Sequence, residues 1–142
     1  MQHRIFCFAF LLLVLFSPAH RAGAEDSGIR GIPLLSTGNT VMGETLHYPT
    51  SGPAHVTAAI ATFAPGMRTV LHRHGAPLFA YILDGEITVD YGGRGTRTYH
   101  QGEALMEAMD VAHFGSNTGT QPVRLLILYM GAEGVANVIP ER

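Results

Sequence analysis

Beyond its first two dozen residues the chain is patterned for strands. Residues 86–91 alternate polar with apolar (Glu86, Ile87, Thr88, Val89, Asp90, Tyr91), as a strand with one buried face must. Before them, the apolar run 79–83 stops at Asp84-Gly85, and after them Gly92-Gly93-Arg94-Gly95 supplies a hairpin loop, which makes 96–100 the returning strand. Gly102 opens a short segment at 104–107, and 123–130 (VRLLILYM) is the longest apolar strand, central to one sheet. Residues 55–63 (HVTAAIATF), closed by Ala64-Pro65-Gly66, predict another strand, although the alanines would also suit a helix. Residues 33–48 hold short apolar pieces divided by Gly38 and Gly43 and predict one or two edge strands, with a turn at 49–53. No segment carries an amphipathic helical period, and turn residues recur about every 8 to 12 positions. The expectation is one all-β domain, a sandwich or barrel.

The N-terminus follows a different pattern. His3 and Arg4 precede an unbroken apolar run over residues 5–16, and Ala22-Gly23-Ala24 then offers the small residues a signal peptidase requires. That run falls short of the roughly 20 residues that span a bilayer as a helix. Residues 1–24 are therefore expected to be a cleavable signal peptide, cut after Ala24, and the protein to be periplasmic or secreted. Cys7 lies within the apolar run and not at its small-residue end, which argues against a lipoprotein. The mature chain divides into an N-terminal arm and edge strand, 25–45, and a barrel domain, 46–142.

Composition then removes whole classes of chemistry. The mature segment has no cysteine and the chain no lysine, so thiolate and Schiff-base mechanisms are excluded. Its seven arginines against eleven acids give a net charge of −4, and they are scattered, so no nucleic-acid partner is expected.

What remains is histidine. His72 and His74 sit at i and i+2 of an extended segment and project from one face, while His113 lies far along the chain with Asn117 four residues after it. Neutral imidazole binds Zn, Fe, Cu, Ni and Mn, and three such ligands with an open position describe a catalytic centre better than a structural one. The bland reading is two surface histidines flanking Arg73; the framing glycines, His113 and Asn117 weigh against it. Glu107 stands in an otherwise apolar segment, where an acid is costly unless paired or ligating. It is a candidate fourth ligand, general base or orienter of a ligating ring, against a solvated edge position. Tyr81, His100, Arg68 and Arg97 are weaker candidates, more ordinary as core, interface or surface residues. Arg73 must point away from the histidines, towards an ion pair outside any pocket, and Asn117 is expected to fix backbone geometry.

These residues carry a family resemblance. Gly66-x5-His72-x-His74-x3-Leu78-x6-Gly85 resembles the first cupin motif, and Gly102-x10-His113-x3-Asn117 the second. The resemblance implies a double-stranded β-helix, or jelly-roll, with a divalent transition metal in its mouth, held by His72, His74 and His113. The family's glutamate ligand falls on Leu78, which cannot ligate; Ala108 and Asp110 replace a usual proline and glycine. The functions implied are a mononuclear centre acting on a small organic molecule, by dioxygenase-like or Lewis-acid isomerase or lyase chemistry, with Glu107 moving a proton. The alternative is a metal-dependent binding or sensing module without catalysis. A homodimer through edge strands and the arm is expected, because a sandwich of this size leaves sheet edges to cover.

Overall fold

The computed structural model describes Gly28 and residues 30–142, so the expected signal peptide lies outside the described residues. The chain divides into two units after Gly31, of which the second, Ile32–Arg142, is compact. The second unit holds nine strands: β1 (Ala54–Phe63), β2 (His72–Arg73), β3 (Leu78–Asp84), β4 (Glu86–Asp90), β5 (Thr96–His100), β6 (Ala104–Met106), β7 (Phe114–Ser116), β8 (Val123–Ala132) and β9 (Ile139–Pro140). Every pairing between them is antiparallel. Among the described residues there is no α-helix, and none is long and apolar enough to cross a membrane.

A four-stranded sheet, ordered β1-β8-β3-β6, faces a three-stranded sheet, β5-β4-β7, and the pair β2-β9 extends the structure into a jelly-roll. The core between the sheets is built from Ala80 and Ile82 on β3, Ile87 on β4, Leu105 on β6, and Val123 and Leu125 on β8. Two tight turns depend on glycine. Gly85 joins β3 to β4 at φ +77°, and a Cβ there would press on Val123 and the Pro122 carbonyl; Gly92 and Gly95, both at positive φ, bound the loop from β4 to β5.

Register explains why 123–130 carries no alternation. Val123, Leu125, Ile127 and Tyr129 face the interior, while Leu126, Leu128 and Met130 lie in outward rows with Ile60 and Tyr81, Ala58 and Phe79, and Val56. Both faces of β8 are apolar, and a strand apolar on both faces reads as a continuous run. Residues 33–48 differ from expectation. They form no strand, and an isolated bridge between Asn39 and Thr45 is their whole sheet pairing. Gly43, at φ +82°, turns the chain back on itself, and the segment is anchored by a side chain instead. Glu44 accepts hydrogen bonds from the Thr40 hydroxyl and from the backbone N–H groups of Met109, Asp110 and Val111.

Candidate metal centre

The three histidines meet because of backbone pairing. His72 and His113 form an antiparallel bridge, each N–H donating to the other's carbonyl at 3.0 and 2.9 Å, so their side chains share a face. His74, two residues on, donates its N–H to the Met109 carbonyl at 3.1 Å and turns its ring to the same point. Ring centroids are 4.6 Å apart for His72 and His113, 4.8 Å for His72 and His74, and 5.1 Å for His74 and His113. All three side chains are buried, and one ligating atom from each lies within 4.8 Å of the others.

Each ring is locked by the main chain. Nδ1 of His72 contacts the Val70 carbonyl at 2.8 Å, Nδ1 of His74 the Asn137 carbonyl at 3.0 Å, and Nδ1 of His113 the Val111 carbonyl at 2.9 Å. A carbonyl only accepts, so each Nδ1 carries the hydrogen and each Nε2 keeps its lone pair. For His74 that Nε2 is fully buried with no hydrogen-bond partner. Such an orphan is costly unless a cation completes it. Burial also holds the His72 ring below the usual histidine range and brings His74 down to about 4, with the neighbouring rings adding to the effect. Both are neutral at pH 7, the form that ligates. The residues present therefore fit a divalent transition metal.

The C-terminal strand completes this end. β9 pairs with β2, Glu141 donates its N–H to the Leu71 carbonyl, and its carboxylate forms an ion pair with Arg73, which points away from the histidines as its position requires. Gly75 admits the strap: a Cβ there would collide with the Ala136 carbonyl.

Glu107 lies outside the group of three histidines whose ligating atoms meet, yet near enough to His113 for the two to interact electrostatically. With every Nδ1 engaged by a carbonyl, it does not orient a ring. Its Oε1 accepts the Tyr91 hydroxyl and the Ala108 N–H, both at 2.8 Å, and the Tyr91 oxygen contacts the Tyr99 hydroxyl at 3.0 Å. Burial raises its pKa, an effect His113 and the two donors only partly offset. With Oε1 occupied, Oε2 is where a proton can arrive or leave.

Glu107, Tyr99 and the histidines open on one cavity of about 230 Å³, walled by Phe63, Leu78, Leu125, Ile127 and Tyr129 among others. Leu78, on the position of the family's glutamate, is buried in that wall. Tyr129, whose ring is 5.6 Å from that of His74, was not singled out from the sequence. Counting by twos from the buried Val123 would have set it on the inner face. Tyr91 and Tyr99 carried no signal beyond their strands. Among the weaker candidates, Tyr81 is on the outer face, His100 is exposed beside Glu86, and neither Arg68 nor Arg97 lines the cavity. Asn117 is buried and ties the Phe63 and Gln121 carbonyls to the Gly119 N–H, fixing backbone around the site.

Similar proteins have the same architecture. The structure is similar to an oxalate decarboxylase from Lactobacillus farciminis in a formate complex, at 21% identity and a TM-score of 0.51, over 60% of this chain and 26% of the decarboxylase. The chain thus spans about a quarter of that enzyme's length. It is also similar to the polyketide cyclase RemF from Streptomyces resistomycificus, at 18% identity and a TM-score of 0.54, over 69% of this chain and 68% of the cyclase. At these identities the likeness is one of fold. No curated protein sequence matches the chain. The cupin domain model matches residues 59–129, half of the chain and the span that carries all three histidines and Glu107, and the chain belongs to the cupin family.

Proposed function

We propose that this protein is an exported, metal-dependent enzyme that acts on a small organic molecule, with His72, His74 and His113 as ligands and Glu107 as the proton-transfer group. The observation that carries the reading is the set of locked imidazoles, above all the buried Nε2 of His74 without a partner. A divalent ion held there supplies Lewis acidity to an oxygen of the substrate. Glu107, raised by burial, takes or returns a proton at Oε2 while Tyr91 and the Ala108 N–H keep the carboxyl in place. The apolar wall excludes water around the reacting groups. This arrangement suits isomerase or lyase chemistry, and oxygen uptake by the iron-loaded protein with diketones or phenols would identify the dioxygenase branch instead.

Elemental analysis of protein purified without an affinity tag tests the ligand set: close to one transition-metal ion per chain is expected, and a metal-free protein that takes up none on reconstitution would refute it. Glu107→Gln separates an enzyme from a binding module. Metal content should persist while turnover of an identified substrate collapses; if no substrate is turned over by the parent protein, the module reading gains. Export rests on residues 1–24, and a periplasmic or secreted form beginning at Glu25 is the expected result of N-terminal sequencing.

The functional unit in this reading is a homodimer. Its support is the outward apolar face of the four-stranded sheet, where Val56 is 60% and Ile60 49% exposed at the edge, continuous with the rows on β8 and β3. Sedimentation should give a dimer at micromolar concentration, with Ile60→Asp shifting it towards monomer.

A further inference from the structure

We infer that the cavity selects molecules with one metal-binding head and an uncharged, apolar remainder, such as small aromatic or branched aliphatic compounds, and rejects those with a second charge remote from the head. The inference rests on the metal reading of the same site and goes on to its substrate class. A head bearing negative charge would meet the cation that the histidines would hold. Anything projecting from the head meets Phe63, Leu78, Leu125 and Ile127. The backbone behind these side chains is committed to the β1-β8 and β8-β3 ladders, or to neighbouring turns, and has no array of free N–H groups to offer.

No arginine lines the cavity, and its one acid, Glu107, brings no positive charge to meet an anion. Arg97 is exposed and outside the lining. Arg68 lines a neighbouring pocket that meets the cavity at Thr69 and Val70, and there its guanidinium lies over the Phe114 ring, 5.4 Å from its centre. Of the wall's hydroxyls, Tyr99 spends its hydrogen on Tyr91, whereas Thr69, whose oxygen accepts the Gly115 N–H, keeps its hydrogen to donate. Thr69 and Tyr129 are left with one neutral O–H each, enough for a neutral oxygen and too little, without a cation, for a desolvated carboxylate or phosphate.

A matched pair of ligands tests this on zinc-loaded protein by titration calorimetry. 4-Isopropylcatechol and protocatechuate share a catechol head and a ring and have the same number of non-hydrogen atoms, and they differ by an isopropyl group against a carboxylate on the far side. We expect 4-isopropylcatechol to bind about tenfold tighter or more, because the carboxylate would be buried unpaired. A smaller ratio, the reverse order, or binding of neither by fully zinc-loaded protein overturns the inference. Zinc content measured before and after titration separates the two failures: a protein that takes up no zinc refutes the metal reading itself. Val138→Arg places a cation on the lining at a position 39% exposed. With zinc content unchanged it should narrow the ratio, and an unmoved ratio counts against the inference.

Discussion

Two clusters of buried polar groups share the cavity and are finished in opposite ways. In the histidine cluster every Nδ1 is engaged by a backbone carbonyl, and the outward-facing nitrogens are left open, one of them fully buried. In the Glu107–Tyr91–Tyr99 cluster the groups satisfy one another, and one carboxylate oxygen takes two donors. A buried polar group without a partner is tolerated where something else supplies the partner; a satisfied one stabilises and positions. The first cluster is therefore set to bind and the second to hold a proton-carrying carboxyl still. Substitutions in the two should fail differently, the first in metal content and the second in folding stability.

The sharpest break is His74→Ala. Loss of one of three ligands should reduce metal affinity more than about a hundredfold, taking bound metal to background in elemental analysis. Retention of near-stoichiometric metal would show that the open nitrogens are not waiting for an ion.

Acid should expose the same cluster in metal-free protein. The folded His74 ring titrates at about 4, against 6.5 when unfolded. As pH falls below 6.5 the unfolded chain takes up a proton that the folded ring refuses, so stability drops through the window from 6.5 to 4. The loss is on the order of 3 kcal/mol, with His72 shifted in the same direction. Urea midpoints at pH 7 and pH 5 read the upper part of that window, about 2 kcal/mol, and His74→Ala should flatten the slope. A stability that stays level or rises between these pH values would contradict the burial of a neutral ring.

In the satisfied cluster the larger effect is Tyr91→Phe. Glu107 would keep the Ala108 N–H but lose a donor to a buried carboxyl, and the Tyr99 hydroxyl would lose its acceptor. About 1–3 kcal/mol of stability should go, read by urea unfolding, with metal content intact. Joint loss of metal would mean that the clusters are one unit.

How much of this was written in the sequence depends on which atoms do the work. Strands with an apolar period or a glycine boundary were legible, 86–90 and 123–130 among them, and so were His72, His74 and His113, because side chains ligate and side chains are what a sequence spells. The carbonyls that lock the rings were not. Val70, Val111 and Asn137 act through backbone oxygens, which every residue type carries, and β9 at Ile139–Pro140 is too short to show a period. Glu44 was hidden differently. It lies in a segment that reads as an edge strand, yet its carboxylate gathers three N–H groups some 65 residues away, beside the loop that leads to His113. Those donors and Thr40 bring its pKa below the carboxylate range even though partial burial pushes it up.

The smallest effect tests the direction of the hydrogen bonds. The Tyr91 hydroxyl has one hydrogen, and it goes to Glu107 Oε1, an oxygen that already accepts the Ala108 N–H and so is a pure acceptor. The Tyr91–Tyr99 contact at 3.0 Å must then be donated by Tyr99, whose lone pairs are what it can offer the cavity. Tyr99→Phe removes a donor to the Tyr91 oxygen and leaves the bond to Glu107 untouched. It should cost about 0.5–1.5 kcal/mol, less than Tyr91→Phe, with metal content unchanged. Were Tyr99→Phe the more damaging of the two, the chain of donation would run the other way, from Tyr91 to Tyr99, and Glu107 Oε1 would itself carry the proton assigned here to Oε2.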